Sequence, residues 1–177
     1  MKKANPRSGH IGYAPIGVIR SNHTDPEKTP IQSVYVQGCP GTAEVLPEYV
    51  EGLKDLQGFS HLILIYHFHR ADAARLIVQP FLQDVDHGVF STRAPCRPNP
   101  IGLSIVELVG QEGGTLHLKG VDILDNTPLI DIKPYVGRFD RIEGTTDGWH
   151  HEVDEASALK RGRRGYVPDG GDPEAAA

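Results

Sequence analysis

Phe59-Ser-His-Leu-Ile-Leu-Ile-Tyr-His-Phe-His69 is the stretch that decides the fold. Its residues are mostly branched or aromatic, types that suit a pleated, half-buried surface. Side chains alternate across a strand, so Leu62, Leu64, Tyr66 and Phe68 share one face while His61, Ile63, Ile65, His67 and His69 share the other. This segment reads as a central strand.

Shorter strand-like runs flank it on both sides. Tyr13 to Arg20, Ser33 to Gln37 and Thr42 to Leu46 precede it; Arg75 to Phe81, Gly88 to Ser91, Leu103 to Val109, Thr115 to Val121 and Leu129 to Ile132 follow. Most are separated by Gly, Asp or Pro turns, in keeping with 20 Gly and 14 Pro in the chain. Glu48 to Leu56 differs: Tyr49, Leu53 and Leu56 alternate with charged residues at helical spacing, and Gly58 follows as a stop. The pattern predicts a mainly β protein. A compact antiparallel β-barrel with one or two short helices would leave no open sheet edge.

A chain of 177 residues is long enough for one domain with a proper core. The polar start predicts a flexible arm over 1–10, a folded domain over 11–165 and a disordered tail over 166–177. No apolar run reaches the roughly 18 residues of a membrane span, and the start lacks the apolar core of a signal peptide, so a cytoplasmic protein is expected. Cys39 and Cys96 are far apart and form no CxxC pair, which argues against a disulfide framework or a zinc ribbon. The net charge of −5 argues against a protein that coats nucleic acid through bulk charge. Three of the acidic residues lie in the tail, so a local basic face stays open.

The chemistry concentrates in Gly88-Val-Phe-Ser-Thr-Arg-Ala-Pro-Cys-Arg-Pro-Asn-Pro-Ile-Gly102. Three prolines stiffen a loop without acidic residues, so Arg93, Arg97 and Asn99 can be presented at low entropic cost. An ordinary proline-rich turn with solvated arginines is the competing reading.

The motifs around this loop resemble the TsaA-like family of TrmO-type tRNA methyltransferases. The resemblance rests on Ile16-Gly-Val-Ile-Arg-Ser21, Gly58-Phe-Ser-His-Leu62, the Arg-Pro-Asn-Pro-Ile-Gly loop and Asp122-Ile-Leu-Asp-Asn-Thr-Pro-Leu-Ile-Asp-Ile-Lys-Pro-Tyr135, and it spans roughly residues 12–137. It implies a β-barrel dimer that holds S-adenosyl-L-methionine near the subunit interface. It also implies transfer of the methyl group to N6 of the threonylcarbamoyl-modified adenosine at tRNA position 37. Carried over motif by motif, the cofactor residues are Gln32, Ser33, His69, Arg70, Arg93, Leu103, Gly120, Val121, Asp122, Ile123, Leu124 and Asp125. An arginine suits the methionine carboxylate, and an Asp suits ribose hydroxyls or the ammonium group. His69 and Asp122 are the candidates for accepting the proton that the nitrogen loses. Longer family members carry a second domain, whereas about 40 residues follow the last motif here.

Other features have bland readings beside functional ones. His61, His67 and His69 cannot form one metal site, since eight strand residues set His61 about 26 Å from His69; a His67/His69 pair would need a ligand from elsewhere in the chain, structural or interface roles are the plainer reading, and no metal is expected. Asp125-Asn-Thr-Pro128 is a good turn former as well as a candidate site. Cys96 beside two arginines lacks a nearby histidine base, which weakens it as a nucleophile. Lys160-Arg-Gly-Arg-Arg164, with Lys2, Lys3, Arg7, Arg93 and Arg97, could form a tRNA-facing patch or a solvated face. Two other functions stay open: a non-catalytic S-adenosylmethionine-binding or sensor dimer, and a metal-dependent hydrolase.

Overall fold

A computed structural model describes residues 11–35 and 38–166. Six strands close into a barrel: β1 (Gly17–Ser21), β2 (Pro40–Val45), β3 (His61–His67), β6 (Ile101–Glu112), β7 (Thr115–Lys119) and β8 (Thr127–Pro134). Their order around the barrel is β1-β2-β7-β6-β3-β8, and every neighbouring pair is antiparallel. The mainly β expectation is met. A separate two-stranded ribbon pairs β4 (Ile77–Val78) with β5 (His87–Gly88). Among the described residues there are also two short α-helices, α1 (Gly137–Asp140) and α2 (Glu155–Arg163).

The alternation read in β3 sets the core. Leu62, Leu64 and Tyr66 point inward and pack with Ile19, Ala43, Val106, Leu116, Leu118 and Leu129. Close contact at one point needs a glycine: Gly102 lies opposite Tyr66, and a Cβ there would sit 2.2 Å from the Tyr66 ring. The motif Arg-Pro-Asn-Pro-Ile-Gly thus ends in a residue that lets an aromatic ring lie across the backbone.

Four local readings differ from the observed elements. Ser33–Tyr35 is a 3-10 turn rather than a strand, since the barrel has no partner for it and Tyr35 packs against α2 instead; Val36 and Gln37 lie outside the described residues. The Glu48–Leu56 segment forms 3-10 turns at Pro47–Leu53 and Leu56–Gly58, broken by Asp55 in the left-handed region (φ 66°). It buries only Leu53 and Leu56, too little apolar stripe to hold an α-helix. The first strand begins at Gly17 instead of Tyr13, and the 75–91 region pairs for just two residues a side. Helix α2 was not read at all. The arm over 1–10, with Lys2, Lys3 and Arg7, and the tail beyond 166 lie outside the described residues.

The antiparallel order gives the barrel two unequal ends. Connections 22–39, 68–100 and 120–126 emerge at one end, whereas 46–60 and the 113–114 hairpin turn lie at the other.

Candidate active site

The residues named from the motifs gather at the end with the long connections. Gln32 and Ser33 lie on the first, His69, Arg70 and Arg93 on the second, and Gly120 to Asp125 on the third. Leu103 is on β6 itself, two residues into the strand and facing outward at 47% exposure. Residues separated by up to 93 positions in sequence therefore share one rim.

A buried hydrogen-bond chain ties these loops to the barrel. The Tyr66 and Ser104 hydroxyls lie 3.0 Å apart, and Ser104 Oγ donates to Asp122 Oδ1 at 2.6 Å. Asp122 also accepts from the Ser33 backbone N–H, so β3, β6 and two of the loops meet at one carboxylate. Burial pushes the Asp122 carboxyl up to about 6, although its hydrogen bonds and the nearby Arg93 charge pull the other way. The same burial and the Asp122 charge push the Tyr66 hydroxyl well above the ordinary tyrosine range, so it stays protonated as a donor.

Arg93 is exposed on its loop and donates from Nη1 to Gln32 Oε1 at 2.6 Å. Its partner is uncharged, and no ion pair engages Arg93 among the described residues. A guanidinium held in place yet not neutralised is suited to an incoming carboxylate or phosphate. Arg97 instead holds the loop's shape, its Nη2 donating to the carbonyls of Val89 and Thr92 at 3.2 and 3.3 Å. The Cys96 carbonyl accepts from Arg75 N–H at 3.0 Å, and no disulfide joins Cys96 to Cys39.

The 120–125 loop divides its work between core and rim. Val121 and Ile123 bury their side chains fully in the barrel core, which leaves only their backbone groups facing the rim. Their carbonyls are already engaged, by His23 Nε2 at 2.9 Å and Ser21 Oγ at 2.5 Å. Asp125 accepts from Ser21 N–H at 3.2 Å and from Asn126 Nδ2 at 2.6 Å, so its carboxylate ties the loop to β1 and to its neighbour instead of making the local Asx-type bond expected from Asp-Asn-Thr-Pro, while Asn126 makes the turn with φ 62°. Leu124 and Asp125 remain half-buried at the rim.

His69 lies just past the end of β3, 3.3 Å from Thr127 Oγ1, while Arg70 Nη1 donates to the Thr24 carbonyl at 3.0 Å. Burial, followed by the Arg70 and His67 charges, pushes the His69 ring below the ordinary histidine range. It is neutral at neutral pH and able to take a proton. His61 and His67 point outward at opposite ends of β3, and among the described residues no three His, Cys, Asp or Glu side chains are placed to hold a metal ion.

A cleft of about 320 Å³ runs beside this rim along the outer face of β6, lined by Ser33, Val34, Gly38, His61, Ile105, Glu107, Lys119 and Gly120. Next to it, Ile101, Leu103 and Ile105 are exposed in a row on β6, opposite His67, Ile65 and Ile63 of β3.

Comparison with known proteins decides what this arrangement belongs to. The family described as the tRNA-methyltransferase O N-terminal domain matches residues 18–141, which takes in five of the six barrel strands whole and nearly all of β1. The chain belongs to the TrmO family. A probable S-adenosyl-L-methionine-binding protein of Pyrococcus abyssi is 55% identical over 139 residues, covering 78% of this chain and 76% of that protein. The human tRNA (adenine(37)-N6)-methyltransferase is 34% identical over 142 residues, covering 75% of this chain but 32% of the human protein. A crystal structure of TrmO from Pseudomonas aeruginosa superposes with a TM-score of 0.67 at 39% identity, covering 79% of this chain and 62% of that one. The chain thus spans about three quarters of the archaeal relative and less than two thirds of the other two.

Sequence reasoning missed three parts of this end. Ser104 was readable, since a polar residue stands on the inward face of β6 between Gly102 and Val106. Helix α2 also carried signals: Asp154 caps it by accepting from Ser157 N–H at 2.9 Å, good helix formers follow, and Gly165 comes just after its end. Trp149, stacked between His87 and His150, had no local signal from His87, which is distant in sequence.

Proposed function

We propose that the chain is an S-adenosyl-L-methionine-dependent tRNA methyltransferase whose pocket is the loop-bearing end of the barrel. The observation that carries this reading is the convergence of the family motifs on one rim, around the buried Asp122 and an Arg93 that is held in place without being neutralised. The residues present suit the cofactor. Arg93 can receive the methionine carboxylate, and Leu103 and Ile105 give an apolar wall for adenine. The half-buried Asp125 offers acceptors to ribose or ammonium, and the adjoining cleft of about 320 Å³ falls within the range of small-molecule sites.

When bound, the cofactor supplies an electrophilic methyl group on a sulfonium. The residues' contribution is alignment and proton removal. In N6-threonylcarbamoyl adenosine the nitrogen lone pair is delocalised, so in-line placement matters more than for a free amine. His69, held neutral by burial and the neighbouring Arg70 charge, is the proposed proton acceptor. Asp122 already serves Ser104 and the Ser33 N–H inside the barrel, and we assign it to positioning.

A second copy of the chain is the proposed cover for this face, closing over Ile101 and over a cofactor seated against Leu103 and Ile105, since these exposed apolar side chains border the cleft. The proposed setting is the cytoplasm, where tRNA is found; among the described residues no helix is long and apolar enough to cross a membrane. The Pyrococcus relative is described as a probable S-adenosyl-L-methionine-binding protein and not as a methyltransferase, which is the observation favouring a non-catalytic dimer.

One assay separates the two readings. The purified protein is incubated with methyl-labelled S-adenosylmethionine and total tRNA from a strain lacking this methylation, and the nucleosides are analysed by mass spectrometry. Methylated threonylcarbamoyladenosine is expected; demonstrated cofactor binding without any methylated nucleoside would remove the catalytic reading.

A further inference from the structure

Residues beyond the family domain return to the site. Tyr135 N–H still pairs with the His61 carbonyl at 3.0 Å, at the far end of the barrel, yet residues 148–166 touch the loops at the near end. They do so at two separate points. At the first, Trp149 Nε1 donates to the Ser91 carbonyl at 2.9 Å, and the indole is stacked between His87 (4.6 Å) and His150 (3.8 Å). That point holds the loop carrying Arg93.

At the second point α2 holds the loop carrying Gln32 and Ser33. Ile31 N–H donates to the Gly162 carbonyl at 3.0 Å, and the Tyr35 ring lies so close to Gly162 that a Cβ there would be 2.6 Å from it. Just beyond the helix, Arg164 donates to the Pro26 carbonyl at 2.5 Å with its guanidinium 3.9 Å over Phe81, and the Tyr166 hydroxyl donates to Cys39 Sγ at 3.1 Å. Arg161 forks onto Asp84 at 3.0 and 2.9 Å. The two loops so held meet each other through Arg93 and Gln32.

We propose that residues 148–166 act as a bracket that presets the cofactor pocket, with Trp149 and Gly162 as its positioning residues. This rests on the reading that the pocket lies between these loops. Connections 22–39 and 68–100 are long, and a ligand that had to order them itself would bind more weakly by that conformational cost. The bracket orders them beforehand, from a part of the chain that the family domain does not include.

The test is calorimetric titration of S-adenosylmethionine into the full chain and into Trp149→Ala, Trp149→Phe and Gly162→Val, with far-UV circular dichroism to check the barrel. Roughly tenfold weaker binding is expected for Trp149→Ala and Gly162→Val, and a smaller loss for Trp149→Phe, which keeps a stacked ring but not the N–H donor. In a Gln32→Ala background, where the link between the loops is already cut, Trp149→Ala should lose most of its effect. Folded Trp149→Ala protein with wild-type affinity overturns the proposal, as does an equal loss with and without Gln32. Should Gly162→Val not fold, the Trp149 variants decide alone. Absence of binding by the wild-type chain would instead overturn the cofactor reading on which the bracket rests.

Discussion

The two ends of the barrel are built from the same strands but differ in what holds their loops. At the far end the connections are short or self-contained: the 113–114 hairpin turn, and the 3-10 turns over 47–58 that bury Leu53 and Leu56. At the near end, long connections are stitched by side chains to one another and to the barrel wall, through Asp122, His23, Ser21, Arg93 and Arg97. Backbone turns suffice to hold the far end. Preset polar groups at the near end suit the proposed charged ligand, which they would meet without reorganisation.

The largest effect should come from the buried carboxylate of the near end. Asp122 has a folded-state value near 6, above the 3.8 of an unperturbed carboxyl, so its contribution to stability is fully present below pH 3.8 and is lost as pH rises through 6. Asp122→Asn should remove that loss. Denaturant melts of both proteins from pH 4 to pH 8 should show the variant gaining on the wild type by about 3 kcal/mol across this window. Parallel curves would show that Asp122 does not titrate in this range.

Arg93 sharpens the comparison from the surface side. It is exposed and its described hydrogen bond is to Gln32, so Arg93→Ala should leave the thermal midpoint nearly unchanged. Loss of a charged hydrogen-bond donor should weaken S-adenosylmethionine by about 2 kcal/mol, or roughly thirtyfold. Calorimetry with wild-type affinity would take Arg93 out of the pocket.

The smallest effect is expected at the other end. Gly113 has φ 56° in the β6–β7 turn with open space around it, so Gly113→Ala should cost about 1 kcal/mol of stability through backbone strain. Cofactor affinity should not change. A shift in affinity would mean that the two ends are coupled through the strands.

Much of this division was legible in the sequence, and the reasons are physical. The period-two alternation of β3 named its inward face, because burial on one side of a strand leaves a direct mark on residue type. The motif loops could be placed on one rim once the antiparallel order was known, since alternate connections of such a barrel share an end. Ser33–Tyr35 was misread because Val and Tyr favour strands, whereas its packing against Gly162 of a distant helix decided the outcome. The same limit hid Trp149, whose stacking partner His87 is 62 positions away. Contacts between far-apart loops leave no local periodicity to read.

The central claim is that the ligand binds at the near end and nowhere else. The direct measurement is titration of isotope-labelled protein with S-adenosylhomocysteine, followed by backbone amide chemical shifts. Changes should gather at Ser33, His69, Arg70, Arg93, Leu103 and the 120–125 loop, with residues 46–60 and 113–114 silent. Changes centred on those far-end residues, or saturation without any response around Arg93, would contradict the account.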